Sequence, residues 1–507
     1  MPAAQEILVN NQVNQRHRYT LLTGATGLVG RYLMRDLLLQ GHQLAVLVRP
    51  NRQQMVRDRI EGIMQMWEGT LGHRLPRPVL LTGDVTKVNL GLSSKQLSWS
   101  EKFLDQVIHG AAVLKFQSAS REFEPWKTNL GGTQNVLDFS KRCNIRDFHY
   151  ISTAYVCGER EATVYENELD VNQTFRNDYE VSKFEAERLV RDCDCFESKT
   201  IYRPAVISGD SQTGYTSTYH GLFLYLRLMA MLVPGQTKNA DGVIETPISL
   251  PIEGDEPRNV VPVDWVAKTI CHLVRTPEAH GRTYHLVPDK CTSAREVIEY
   301  CYKYFHSDGV KFCGADSERT ADSELAEKLF ENTSIYASYE TSDPQFDKRN
   351  VSQFAGHLEC PSISQEMIFK FIDFGKQNRW GKEKEASPKV VRWIESHLTE
   401  IALAAQKMMG ALRINGVDQI FKFGLDIHGP GGGQWQLLAN EGRFDVTPGL
   451  PDDSSPVLKL SDIQINDLLM RQDSEEIDRS RNEKPKIAIN WTEPLETVIT
   501  ENSKPSL

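Results

Sequence analysis

Short apolar runs alternate with helical patterns from Tyr19 onward. Tyr19–Thr23, Leu44–Val48, Pro78–Thr82, Gln106–His109, Phe148–Thr153 and Thr200–Ile207 predict strands. Between them, Leu28–Leu39, closed by Gly41, and Gly132–Arg142 carry their apolar residues at helical spacing. Strand–helix alternation means βαβ units, and hence a parallel sheet covered on both faces. Ligands on such sheets bind beyond the carboxyl ends of the strands, so motifs at those ends matter most.

Beyond about Gly209 the rhythm loosens. The stretch to about Trp380, including aromatic-rich Tyr215–Val233, suits a substrate-binding part following the nucleotide domain. Lys382–Lys389 (KEKEASPK) is linker-like. Val390–Leu412 then predicts an amphipathic helix, followed by β-like runs around Gln419–Ile427, Gln434–Leu438, Phe444–Val446 and Val457–Leu460. We therefore expect an α/β protein: a Rossmann-type doubly wound parallel sheet with a smaller substrate-binding part, followed by an α+β C-terminal domain. The expected divisions are a disordered tail over 1–18, an α/β unit over 19–380 whose smaller part begins at about 210, a linker over 381–389, the C-terminal domain over 390–470 and a polar, largely disordered tail over 471–507.

Composition narrows the function. A chain of 507 residues exceeds the size of a single core. Its net charge of −10 disfavours nucleic acid, which wants a concentrated basic face. Nine cysteines without ligand-like spacing fit reduced thiols, and thirteen histidines form no H-E-x-x-H, so no metal site is expected. Met1–Arg18 lacks the apolar core of a signal peptide. Leu222–Val233, the most lipid-like stretch, is too short to span a bilayer and carries Arg227. A cytoplasmic enzyme without an integral membrane segment is the expectation, with contact at a membrane surface left open.

Three motifs carry chemistry. Thr23-Gly24-Ala25-Thr26-Gly27-Leu28-Val29-Gly30 follows a strand and opens a helix. Its glycines let the backbone turn sharply and approach a pyrophosphate, while the helix N-terminus supplies N–H groups. At the end of the second strand, where NAD enzymes place a carboxylate on the ribose 2′-hydroxyl, stands Val48-Arg49-Pro50-Asn51-Arg52, with Arg57 and Arg59 further on. Guanidinium groups suit a 2′-phosphate, so the cofactor is expected to be NADPH, with Arg49 the first candidate and Arg59 the second. Tyr179-Glu180-Val181-Ser182-Lys183 is a Y-x-x-x-K, which puts phenol and ammonium on one helix face. The ammonium is expected to lower the phenol pKa. Upstream, Tyr150-Ile151-Ser152-Thr153 brings hydroxyls to a strand end.

In that order these motifs make residues 19 to 375 resemble the extended short-chain dehydrogenase/reductases. The segments TGATGLVG (23–30), GDVT (83–86), IHGAAVLKF (108–116), NLGGTQNVL (129–137), ISTAYVCG (151–158) and YEVSK (179–183) carry the superfamily likeness. RPAVISGDSQTG (203–214) and VPVDWVA (261–267) make the chain most similar to the thioester reductase and fatty acyl reductase branch. The resemblance implies a catalytic set of Thr153, Tyr179 and Lys183, with Ser152 an alternative hydroxyl. It implies cofactor contacts from Gly24, Thr26, Gly27, Leu28, Gly30, Arg49, Arg59, Asp84, Val85 and Asn129, together with Tyr179 and Lys183. Gly110 departs from the family, which often has a larger residue there. Residues around 433–461 weakly resemble a sterol carrier protein-type lipid-binding domain, with a plain accessory or dimerisation domain the alternative.

The implied activity is NADPH-dependent reduction of an apolar acyl thioester, on coenzyme A or a carrier protein, to aldehyde or alcohol. Two other classes stay open: a hydroxysteroid dehydrogenase or sugar-nucleotide epimerase/dehydratase on the same fold, and a non-catalytic lipid-binding protein. No adenylation or carrier segment is recognisable, so the thioester is expected to come from a partner.

Overall fold

A computed structural model describes residues 18–50, 55–317 and 323–381, and, beyond those, 421–428, 433–440, 443–448 and 457–461. The expected tails, the linker from 382 onward and the 390–412 helix lie outside the described residues. Internal contacts divide the chain into two compact units, residues 1–60 with 74–380 and residues 61–73 with 381–507.

In the first unit, strands β1 (Tyr19–Thr23), β2 (Leu44–Val48), β3 (Val79–Thr82), β4 (Leu104–His109), β5 (Asp147–Ile151) and β6 (Ser198–Pro204) join a parallel sheet. Short strands β7 (Val206–Ser208), β8 (Ile244–Leu250) and β9 (Val260–Pro262) lie outside it, and β10 (Thr283–Leu286) returns to its edge. The spatial order is β10-β6-β5-β4-β1-β2-β3, with every pairing parallel. The order reverses between β1 and β4, and a crevice opens there beyond the carboxyl ends of both strands.

Continuous apolar strands are what a sheet buried on both faces requires. Leu44, Ala45, Val46, Leu47 and Val48 are all buried, and Leu21, Val107, Ile108 and Phe148 have no exposed surface. At about 1.5–3 kcal/mol per fully buried large aliphatic side chain, this core dominates the unit's stability. The Leu28–Leu39 helix packs its Tyr32, Leu33 and Leu37 face inward, against the Val263–Val274 helix.

Thr200–Ile207, expected as one strand, is two. Pro204 has no N–H to continue the ladder, so the chain changes partner. The Ala205 N–H still bonds Leu286, but the Val206 N–H turns to Asn259, and β7 pairs with β9. A second parallel pair, β8 with β11 (Ser307–Phe312), belongs to the looser region after Gly209. That region is not a separate downstream block, because the Val263–Val274 helix and β10 return to the nucleotide-binding sheet.

The GDSQTG turn is tied together by one carboxylate. Asp210 accepts from the Gln212 and Thr213 N–H groups and the Thr213 hydroxyl at 2.8–2.9 Å, and its second oxygen takes the buried Tyr32 hydroxyl at 2.9 Å. The second unit contains a four-stranded sheet of β12 (Phe421–His428), β13 (Gly433–Asn440), β14 (Arg443–Pro448) and β15 (Val457–Ser461), ordered β14-β13-β12-β15. Among the described residues no helix is long and apolar enough to cross a membrane.

Candidate active site

The glycine loop has the shape its sequence demands. Gly24 has φ +79°, and a Cβ there would lie 2.7 Å from the Gly110 carbonyl. A Cβ on Gly30 would meet the Gly24 carbonyl oxygen at 2.0 Å. Any side chain at either position would therefore displace backbone. A Cβ on Gly110 itself would meet only the Ile151 side chain at 3.0 Å and the Thr23 carbonyl oxygen at 3.4 Å. Gly27 caps the Leu28–Leu39 helix without a side-chain hydrogen bond, and no acidic residue stands in the first turn. The helix N-terminus thus offers N–H groups and partial positive charge to an anion.

Arg59 reaches back over this loop. Its guanidinium donates to the Arg49 carbonyl at 2.8 Å and to the Thr26 hydroxyl at 3.3 Å. Burial, then the charges of Arg49 and Arg31, push its pKa below the usual arginine value. Arg31 donates to the Thr26 carbonyl at 3.0 Å. Three guanidiniums therefore converge at the end of β2 without a carboxylate among the charges acting on Arg59. Arg31 was not singled out from sequence; its spacing one turn past Gly27 was the available signal.

Across the crevice, the Asp84 carboxylate accepts from the Thr86 N–H and hydroxyl, both at 2.9 Å, which fixes the turn that presents Val85. Asn129 sits in a π-helical turn, and its amide is fully engaged by protein. Its Oδ1 accepts from the Val113 N–H at 2.8 Å, and its Nδ2 donates to the Val113 carbonyl at 3.1 Å and the Ser182 hydroxyl at 3.0 Å. It braces the strand-end segment against the Asp178–Asp192 helix.

That helix is capped by Asn177, whose side chain accepts from the Glu180 N–H. Tyr179, Lys183 and Glu187 follow one another at one-turn spacing along its inward side. Burial, reinforced by the Glu180 carboxylate, pushes the Tyr179 phenol up to about 12, while the Thr153 hydroxyl draws it back. The expected lowering by Lys183 is not seen: burial and Glu180 set the direction, and Lys183 is not among the groups acting on the phenol. At neutral pH Tyr179 is a proton donor. The Lys183 ammonium donates to the Tyr150 phenol and the Ile151 carbonyl, each at 2.8 Å. Burial lowers it to about 7 against the opposing Glu187 charge.

The two strand-end hydroxyls have different surroundings. Ser152 donates to Glu187 at 2.7 Å. Thr153 is the residue whose hydroxyl acts on the Tyr179 phenol. Burial disfavours the Glu187 charge, but the Arg203 and Arg191 guanidiniums and Ser152 hold it ionised, well below the usual carboxylate range. Sequence reasoning overlooked Glu187 and Arg203, although Glu187 continues the Tyr179–Lys183 spacing. A groove lined by Thr86, Trp126, Leu130, Asn135, Glu185 and Arg188 contains none of the catalytic candidates.

Residues 22–270 match the NAD-binding family described as male sterility protein. The terminal R domain from the myxalamid PKS-NRPS biosynthetic pathway superposes with a TM-score of 0.58 at 26% identity, covering 73% of this chain and 92% of that one. The chain belongs to the extended short-chain dehydrogenase/reductases, in their thioester reductase branch. The chain is also similar to a linear gramicidin synthase protein of Brevibacillus parabrevis, 25% identical over 382 residues, and to aldehyde reductase lnaA of Aspergillus flavus, 26% identical over 406 residues. It spans 7% and 37% of the length of those two proteins, against 70% and 72% of its own. UDP-glucose 4-epimerase from Bifidobacterium longum, solved with NAD+ and UDP, shares the fold at 20% identity and a TM-score of 0.51, covering 72% of this chain and 99% of that one. The extended reductases bind a nicotinamide dinucleotide, and the glycine cradle, open helix end and arginine cluster of this chain fit one.

Proposed function

We propose that this chain reduces an apolar acyl thioester, presented on coenzyme A or a carrier protein, with NADPH. The observation that carries the reading is a protonated Tyr179 phenol influenced by the Thr153 hydroxyl at the end of β5, with Lys183 on the same helix face. The family match and the likeness to the R domain support thioester chemistry over steroid or sugar-nucleotide substrates.

Gly24, Gly27, Gly30 and the N–H groups following them would hold the pyrophosphate, with Thr26 and Leu28 alongside. Arg31, Arg49 and Arg59 would hold a 2′-phosphate, Asp84 and Val85 would flank the adenine, and Lys183 would hold the nicotinamide ribose. When bound, NADPH supplies the hydride. Tyr179 and Thr153 donate hydrogen bonds to the acyl oxygen as negative charge grows on it; each preorganised donor is worth about 2.7–4 kcal/mol. Tyr179 gives its proton to that oxygen, leaving a hemithioacetal. As the C–S bond breaks, the phenolate recovers the proton, the C=O bond re-forms and thiolate leaves. Asn129 and Ser182 keep the helix and strand end in register for these transfers. We assign to the C-terminal sheet the holding of an apolar acyl chain, on the resemblance of residues 433–461 to lipid-binding domains.

NADPH oxidation over a panel of acyl-CoAs, ketosteroids and sugar nucleotides tests the reading. One NADPH consumed per thiol released marks an aldehyde product, and two mark an alcohol. Turnover of ketosteroids or sugar nucleotides with none of any thioester overturns it.

A further inference from the structure

Behind Lys183 runs a buried polar chain that none of the roles above requires. The Lys183 ammonium lies 2.8 Å from the Tyr150 phenol oxygen and 4.3 Å from its ring centroid. Both residues are buried, with 2% and 1% exposure. The Thr133 hydroxyl also acts on the Tyr150 phenol. Thr133 has one proton and gives it to the Asn129 carbonyl at 2.6 Å. Toward its other neighbours it can therefore only accept. His109 Nε2, 3.0 Å away, must therefore carry a proton.

His109 Nδ1 is then the acceptor for the Thr23 hydroxyl at 2.7 Å. The Thr23 oxygen already receives the Gly110 and Ala111 N–H groups, both at 3.2 Å. Every proton along Thr23–His109–Thr133 has one direction, and beside this chain the Tyr150 oxygen accepts from the Lys183 ammonium, which can only donate. Burial and the Lys183 charge hold His109 neutral, at about 3, which the network requires.

We propose that Tyr150 is a positioning residue for Lys183. Together with the Ile151 carbonyl it takes two of the three ammonium protons and leaves the third directed into the crevice. That the third proton meets the cofactor ribose rests on the functional reading above; the orientation itself does not.

The groups facing Lys183 are the Glu187 carboxylate and Tyr179 phenol on its own helix, Tyr150 on β5 and neutral His109 on β4. Glu187 favours the ammonium while burial opposes it. The phenol oxygen also favours the charged form by accepting from it. Its removal should therefore lower the Lys183 pKa further. A hydrogen bond to a charged group corresponds to about one to two pH units.

The test follows the Lys183 13Cε shift against pH in the full chain, assigned with Lys183→Arg. In Tyr150→Phe the midpoint should fall by at least about one unit. Thr133→Val leaves the phenol in place but removes the hydroxyl that acts on it, and should move the midpoint the same way by less. A folded Tyr150→Phe in which Lys183 titrates as in the parent overturns the proposal. If that variant does not fold, an unmoved midpoint in Thr133→Val overturns it. The measurement needs no substrate, so failure of all thioester turnover would count against the proposed function and not against this assignment.

Discussion

Replacing Arg59 with alanine should cost NADPH affinity and leave NADH nearly untouched. Arg59 is held by the Arg49 carbonyl at 2.8 Å and the Thr26 hydroxyl at 3.3 Å, and its pKa is depressed by burial and two neighbouring guanidiniums. A phosphate monoester brings a charge of about −1.5 to −2 into this cluster and relieves that repulsion. A hydrogen bond between charged partners contributes about 1.5–3 kcal/mol. At about 1.4 kcal/mol per decade, Arg59→Ala should weaken NADPH by roughly 10- to 150-fold. Arg59 also steadies the loop, so both dinucleotides can lose a little, and the diagnostic quantity is the ratio of the two Kd values. Calorimetric titration of each dinucleotide gives that ratio, and added salt should compress it in the parent protein more than in the variant. Equal weakening of NADPH and NADH would refute the assignment of this cluster to a 2′-phosphate.

Other substitutions probe the remaining parts. Arg49→Glu should shift the same Kd ratio further, since it turns attraction into repulsion; an unchanged ratio would leave Arg59 and Arg31 as the phosphate ligands. Tyr179→Phe should bind NADPH normally and lose roughly 10²–10⁴-fold in kcat, the range for a general acid; a rate near the parent's would move the proton donor elsewhere. Glu187→Gln should cost about 3–5 kcal/mol in denaturant unfolding, because fully buried Arg203 would keep its charge without its partner; a loss under about 1 kcal/mol would contradict that. Ending the chain at residue 385 should spare short-acyl reduction and impair long-chain substrates; equal loss at every chain length would make the C-terminal sheet an accessory part.

Sequence pattern located the sheet well because both of its faces are covered, so each strand is an apolar run whatever its neighbours. It failed where the ladder changes partner, as at Ala205, since Val206–Ser208 is as apolar as the strand before it and only Pro204 marks the break. The glycine loop and the Y-x-x-x-K helix were legible because close backbone approach and one-turn spacing are local requirements. The polar groups beneath the site were not. His109, Thr133, Tyr150, Glu187 and Arg203 lie far apart in the chain and become partners only when β4, β5 and β6 stack side by side. The direction of the Tyr179 shift also escaped the sequence, because a spacing of four reveals the ammonium but not the burial and the Glu180 charge that set the shift.

Strand geometry bears on a choice the sequence left open between adjacent hydroxyls, and favours Thr153. Successive side chains on a strand point to opposite faces, so Ser152 goes with Tyr150 and Thr153 with Ile151. On the Tyr150 side lies the buried face of the Asp178–Asp192 helix, where Lys183 takes the Tyr150 phenol and Glu187 takes Ser152. A serine whose proton is committed to a buried carboxylate, itself clamped by Arg203 at 2.6 Å, cannot also donate to an acyl oxygen. Thr153 lies past the last paired residue of β5, caps the following turn by accepting from Tyr155, donates to the Pro204 carbonyl only at a long 3.5 Å, and has its hydroxyl acting on the Tyr179 phenol. Ser152 is thus bound up with the charges behind Lys183, whereas the Thr153 hydroxyl acts on Tyr179. The double exchange Ser152→Thr with Thr153→Ser would keep both hydroxyls in the chain but press an extra methyl against the Glu187–Arg203 pair. The order serine then threonine therefore follows from packing as well as chemistry.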